Sequence, residues 1–215
     1  EEITHGNGPV WEANHVWLIL AIVIPFMGFP KIYAVLSTYL HIPIVLLLIG
    51  IILRGTAFAF MHYDAIKDQS LLVYERVFKA SSVMAPVFLG VIAGAVMLGR
   101  IDAGAATFYE AFIAPWLNGF SFAAGLFTLC IFTFLAAVFM IAESDDEEVR
   151  GEFIRVAKWL QAGAVVCGLL VFGSAHLYNY PLGPIFLNSP VAVACVVLAT
   201  LSLPVLWYFL NRGSA

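Results

Sequence analysis

Six long apolar runs dominate the sequence and restrict it to one kind of fold. They lie at about residues 15–37, 40–61, 78–99, 114–142, 152–176 and 188–211. Each run is long enough to cross the roughly 30 Å hydrocarbon core of a bilayer as an α-helix. Because lipid offers no hydrogen-bond partner to backbone amides, such segments fold as helices that pack together. The sequence therefore predicts an all-α, polytopic transmembrane bundle of about six spanning helices, with residues 1–215 forming a single domain.

Composition excludes several classes of function. With 62% apolar and 11% charged residues, the chain has no room for a sizeable water-soluble domain. The net charge of -4 arises mostly from an acidic block at 143–148, so neither nucleic-acid binding nor a basic lipid-binding tail is indicated. Cys130, Cys167 and Cys195 fall in different runs without a Cys-x-x-Cys spacing, which favours core packing over a metal or redox pair. No phosphate-binding loop, nucleophile elbow or zinc-protease pattern occurs, and we predict no metal site and no complete active site in this chain.

The distribution of basic residues predicts the orientation. An even number of spans places both termini on one face, and basic residues concentrate on the cytoplasmic side of membrane proteins. The N-terminal face would hold seven Lys and Arg residues, and the opposite face two. The seven are Lys67, Arg76, Lys79, Arg150, Arg155, Lys158 and Arg212, and the two are Arg100 and Lys31. We therefore expect a cytoplasmic N-terminus.

Polar residues collect where the first apolar run begins. Glu12, Asn14 and His15 precede that run directly. Glu12 is interpreted either as a first-turn acid that complements the helix dipole or as a proton acceptor that passes charge along Asn14, His15 and water. Arg54 lies within the second span, 13 residues or roughly 20 Å of helix beyond His41. A cation at that depth needs a partner, and Glu12 is the partner that the sequence suggests.

The histidines do not predict a haem held wholly within this chain. None of the five falls in the middle of an apolar run, and no two share a helix face at a spacing of four residues. They are His5, His15, His41, His62 and His176. His176 follows a long apolar helix and is the weak candidate for an axial haem ligand.

The opening segment resembles a known signature. Gly8-Pro-Val-Trp-Glu-Ala-Asn-His-Val-Trp-Leu18 is similar to the Pro-x-Trp-Asp-Gly-Asn-x-Val-Trp-Leu motif of subunit II of the cytochrome bd quinol oxidases. Phe29-Pro-Lys-Ile-Tyr-Ala34 and Leu53-Arg-Gly-Thr-Ala-Phe58 continue that family's pattern in the same order. Trp11 and Trp17 supply the tryptophans of the signature and are expected to have a structural role.

The resemblance implies an accessory subunit of a cytochrome bd-like membrane quinol:oxygen oxidoreductase in a bacterial inner membrane. Its partner would be a subunit I that carries haem b, haem d and the quinol site. Glu12 takes the place of the acid on that family's proton route, and Asn14 and Arg54 match further family positions. Bound quinone or lipid is a further ligand to consider.

Several positions depart from the family pattern and indicate a divergent branch. Ala13 replaces the usual glycine after the signature acid. Ala59, Met61 and His62 stand where the family usually has an acid and a basic residue. The family has about eight spans, including a helix before the signature, and we expect that helix to be missing or to lie outside the printed sequence.

Two readings of function therefore stay open, with a third less favoured. In the first, Glu12, Asn14, His15 and Arg54 support proton delivery to haems in subunit I. In the second, the chain is a purely structural or lipid- or quinone-binding anchor, and Glu12 and Arg54 lock two helices together. A transporter subunit is less favoured because few charges lie at mid-membrane.

Overall fold

The computed structural model describes residues 17, 19–63, 70–102, 104–144 and 146–212. Regular secondary structure in these ranges is α-helical throughout, as predicted. The helices are α1 (Ile19–Gly28), α2 (Pro30–Tyr39), α3 (His41–Tyr63), α4 (Ser70–Leu98), α5 (Phe108–Phe112), α6 (Gly119–Glu143), α7 (Glu147–Leu177), α8 (Leu182–Asn188) and α9 (Pro190–Arg212).

The long helices confirm a multi-pass membrane protein. Within the described ranges, α3, α4, α6, α7 and α9 are long and apolar enough to cross a membrane, and α1 with α2 would make a sixth span. Helix α7 has 31 residues, or roughly 46 Å, so it extends beyond a hydrocarbon core of roughly 30 Å. Its first turns, and those of α4, therefore carry charged residues outside the apolar run.

The first apolar run is broken at Phe29. The helix direction bends there by 119° between α1 and α2. Phe29 has φ -135° and ψ 57°, outside the helical region, and Pro30 stands in the first turn of α2. A proline ring clashes with a helical conformation of the residue before it, which explains why the break falls at this position. The pair is either one broken span or a re-entrant segment.

Two compact units divide the chain within α6, at residues 1–125 and 126–215. The core of the first unit contains the buried residues Leu40, Val91, Ala95 and Trp116. The Trp116 indole nitrogen donates a 2.8 Å hydrogen bond to the carbonyl of Phe112. This bond satisfies the polar atom that Trp116 brings into the core.

Small residues let α4 approach α6 in the first unit. A Cβ atom on Gly94 would lie 2.8 Å from the Cα atom of Ser121, and one on Gly125 would lie 2.9 Å from the carbonyl oxygen of Val87. Real Cβ atoms do not approach other atoms so closely. Glycine at positions 94 and 125 therefore permits a close approach of the two helices.

The second unit packs the end of α6 against the start of α7. Ala137 and Ile141 of α6 form a buried cluster with Ile154 and Ala157 of α7. Asp146 caps α7 by accepting a 3.0 Å hydrogen bond from the backbone nitrogen of Glu148. The acidic block therefore lies at a helix N-terminus, where carboxylates complement the dipole.

Candidate functional site

Arg54 is the sequence-predicted site residue whose surroundings the structure describes most fully. It lies on α3, which runs antiparallel to α4 in the first unit. Three contacts define this register. Gly50 faces Ala85, because a Cβ atom added to Gly50 would lie 3.3 Å from the backbone nitrogen of Ala85. Arg54 faces Phe78, and Phe60 stacks on Tyr74 with ring centroids 5.4 Å apart.

The guanidinium of Arg54 rests on an aromatic ring. Its central carbon lies 5.5 Å from the ring centroid of Phe78. Such a cation–π contact contributes roughly 0.5–2 kcal/mol, depending on how far the cation is removed from water. In the part of the chain that the structure describes, Arg54 forms no salt bridge, and its residue is exposed at the surface of this chain. The positive charge is therefore presented outward from the α3–α4 pair.

An ion pair lies on α4 beside the Arg54 contact. The ammonium nitrogen of Lys79 is 2.6 Å from a carboxylate oxygen of Glu75, one helical turn earlier. Both side chains are exposed, and Lys79 directly follows Phe78 along the helix. Phe78 is eight residues from the start of α4, or roughly 12 Å of helix. Arg54 thus meets α4 close to its charged end, and a long arginine side chain can extend toward such an end.

The polar residues that precede the first apolar run lie outside the described residues. They are Glu12, Asn14 and His15, and the signature residue Trp11 lies outside the described residues as well. Trp17 is described, and 70% of it is exposed. The pairing of Glu12 with Arg54 therefore stays a prediction.

His176 lines a cavity at the end of α7. The cavity has a volume of about 390 Å³ and is also lined by Phe172, Asn179 and Tyr180. Asn179 has a positive φ of 55°, which turns the chain from α7 toward α8. Two of the residues lining the cavity, His176 and Tyr180, carry side chains of a kind that can ligate haem iron. Across the described residues, no three His, Cys, Asp or Glu side chains gather closely enough to hold a metal ion.

Two side-chain contacts in the second unit were missed by the sequence analysis. The indole nitrogen of Trp207 on α9 donates a hydrogen bond to the side-chain oxygen of Gln161 on α7. The ammonium of Lys158 lies 5.4 Å from the centroid of the same indole ring. The spacing of Lys158 and Gln161, three residues apart on α7, is the sequence signal that places them on one helix face.

A further contact that the sequence analysis missed joins two cysteines. The sulfur atoms of Cys130 on α6 and Cys167 on α7 are 3.8 Å apart. The expectation that the cysteines are unpaired core residues is therefore incomplete, although no disulfide links them.

These features define a class: a helical membrane protein with an outward-facing arginine in a span and no complete metal centre among its described residues. The family model for cytochrome bd terminal oxidase subunit II matches residues 3–215, and the chain belongs to that family. It is also similar to cytochrome bd ubiquinol oxidase subunit 2 of Bacillus subtilis (strain 168), at 27% identity over 177 residues. That match covers 80% of this chain and 50% of the relative. The chain thus spans about half the length of the curated relative that it matches.

Proposed function

We propose that this chain is the accessory subunit of a cytochrome bd-like quinol:oxygen oxidoreductase in a bacterial inner membrane, with a cytoplasmic N-terminus. Its partner is a subunit I that holds haem b, haem d and the quinol site. Membership of the subunit II family supports this assignment.

Within that complex, Glu12, Asn14, His15 and Arg54 support proton delivery toward the partner. Glu12 and His15 are the groups that can gain and lose a proton, whereas the Arg54 guanidinium stays protonated. Arg54 is therefore a positioning residue, whose charge favours the ionised form of a nearby carboxylate and orients water. The observation that carries this proposal is the outward-facing, cationic side chain of Arg54 beside Phe78 on a membrane-spanning helix.

Replacement of one carboxyl group tests the proton role. We expect Glu12→Gln to lower oxygen consumption of the assembled complex about tenfold or more, because a positioned proton-transfer group contributes roughly 10²–10⁴-fold to a rate. Glu75→Gln is the matched control, since Glu75 is an exposed carboxylate in an ion pair with Lys79. Turnover should be measured across pH. Wild-type turnover of the Glu12→Gln complex at every pH would remove the proton role.

The Arg54–Phe78 contact also favours a second candidate, a structural anchor. In that case Glu12 and Arg54 form a locking pair, and the chain stabilises subunit I without moving protons. Exchanging the charges in the double variant Glu12→Arg, Arg54→Glu separates the candidates. If the double variant recovers both assembly and turnover, the result supports the locking pair. If the double variant assembles but has no turnover, the result supports proton transfer.

A further inference from the structure

A facing pair of cysteines lies inside the membrane-spanning part of the second unit. Cys130 is near the middle of α6 and Cys167 is on α7, with their sulfur atoms 3.8 Å apart. Both residues are half-buried, and both are free thiols in this structure. The third cysteine, Cys195, is exposed on α9.

Residues next to Cys167 on α7 also lie close to α6. Gly163 lies one helical turn before Cys167, and a Cβ atom there would be 3.7 Å from the sulfur of Cys130. Farther along α7, an added Cβ on Gly168 would be 3.4 Å from the ring of Phe127. Positions on both sides of Cys167 therefore lie within contact distance of α6. A disulfide needs a sulfur separation of about 2.05 Å, and side-chain rotation can supply much of the difference.

The location of the pair within the membrane determines which class of oxidant can reach the two thiols. Both helices are apolar enough to span the membrane, and both cysteines retain partial exposure at the surface of this chain. That exposure faces either lipid or a neighbouring membrane subunit. An oxidant dissolved in the bilayer can reach such thiols, whereas a water-soluble oxidant is excluded by the hydrocarbon.

We propose that Cys130 and Cys167 form an oxidation site at which a membrane quinone converts the two thiols to a disulfide. The two S–H bonds break and one S–S bond forms. Two electrons and two protons pass to the quinone oxygens, and the quinone is released as quinol. The product ties α6 to α7 covalently. The proximity of the two sulfur atoms is a feature of this structure, whereas the choice of quinone as the oxidant rests on the proposed function.

Thiol counting on the whole complex tests this proposal. Membranes that contain the complex are incubated with a short-chain quinone, then denatured and treated with a polyethylene-glycol maleimide, and this chain is detected through a tag. The chain has three cysteines. We expect one label, on Cys195, after quinone treatment and three labels after treatment with a dithiol reductant. Three labels after quinone treatment would overturn the proposal.

Two single variants separate a disulfide from direct addition of a thiol to the quinone. If a disulfide forms, Cys130→Ser retains two labels after quinone treatment, on Cys167 and Cys195. A single label in that variant would show that a thiol is lost without a disulfide between Cys130 and Cys167 and would overturn the proposal. Cys195→Ser should give no label after quinone treatment and two after reduction. Because this readout does not use turnover, its failure is distinguishable from failure of the proton-delivery proposal.

Discussion

Several polar side chains within the spans form hydrogen bonds, and they do so in two different ways. The hydroxyls of Thr56, Thr133 and Thr200 donate to backbone carbonyls four residues earlier in their own helices, at 2.9, 2.7 and 2.8 Å. Such bonds satisfy a polar group in lipid without help from another helix. Gln161 and Trp207 instead satisfy each other across α7 and α9. A hydrogen bond between side chains of two helices shows that those helices are neighbours, whereas a bond within one helix does not.

The bond between Gln161 and Trp207 gives a prediction at the residue scale. Gln161 is buried, so Trp207→Phe leaves its amide without this partner and should lower the unfolding free energy by roughly 1–3 kcal/mol. The double variant Gln161→Leu, Trp207→Phe removes both polar groups and should recover much of the loss. Thermal unfolding of the detergent-solubilised complex measures these effects. Equal stability of Trp207→Phe and wild type would show that the bond contributes nothing.

At the scale of helices, glycine determines where neighbours can approach. Gly94 brings α4 close to Ser121 of α6, and Gly125 of α6 lies close to the carbonyl oxygen of Val87 on α4. In lipid, helices associate through packing and interhelical hydrogen bonds, because the solvent is as apolar as the side chains. A substitution that prevents close approach therefore removes much of the packing that stabilises a helix pair.

A methyl group added at Gly94 should separate α4 from α6. Its carbon would lie 2.8 Å from a backbone atom of Ser121, which cannot rotate away. We expect Gly94→Ala to lower the unfolding free energy by roughly 1–3 kcal/mol, as overpacked cores do. Gly151→Ala is the matched control, because nothing lies within 4 Å of its added Cβ. That change should leave the thermal midpoint unchanged or slightly raised, since alanine favours helix.

A comparable loss in both glycine variants would contradict the packing explanation, because of these two glycines Gly94 alone lies close to another helix.

At the scale of the whole molecule, many large apolar side chains are exposed. None of the apolar window of α9 is buried against the rest of the chain. In water such a surface would aggregate, whereas in a bilayer it contacts lipid or another subunit. This exposure agrees with a multi-pass protein that belongs to a family of oxidase subunits.

Orientation in the bilayer gives a prediction at this scale. In a variant whose three native cysteines are replaced by serine, Asp102→Cys tests the loop between α4 and α5, and Glu147→Cys tests the first turn of α7. The positive-inside rule predicts that the first is labelled by a membrane-impermeant maleimide in intact spheroplasts and the second only after permeabilisation. The opposite labelling pattern would reverse the orientation. If α1 and α2 form one span, the N-terminus lies on the same side as Glu147.

Some features of the structure were accessible from the sequence because they depend on local physics. An apolar run of about twenty residues must be helical in lipid, since its backbone groups have no other partners. The same local reasoning explains the break before Pro30 and the cap at Asp146, because proline restricts the residue before it and aspartate caps helix N-termini. The resemblance of the opening motif to the oxidase subunit II signature likewise needed no coordinates.

The sequence by itself thus determined the class of fold, the approximate number of spans and the family. Tertiary structure decided which side chains meet across helices. Cys130 reaches Cys167 over 37 residues, and Trp207 reaches Gln161 over 46. Arg54 meets Phe78 because α3 and α4 pack in one particular register. These pairings depend on how each helix is rotated about its axis, and packing between helices selects that rotation once they meet.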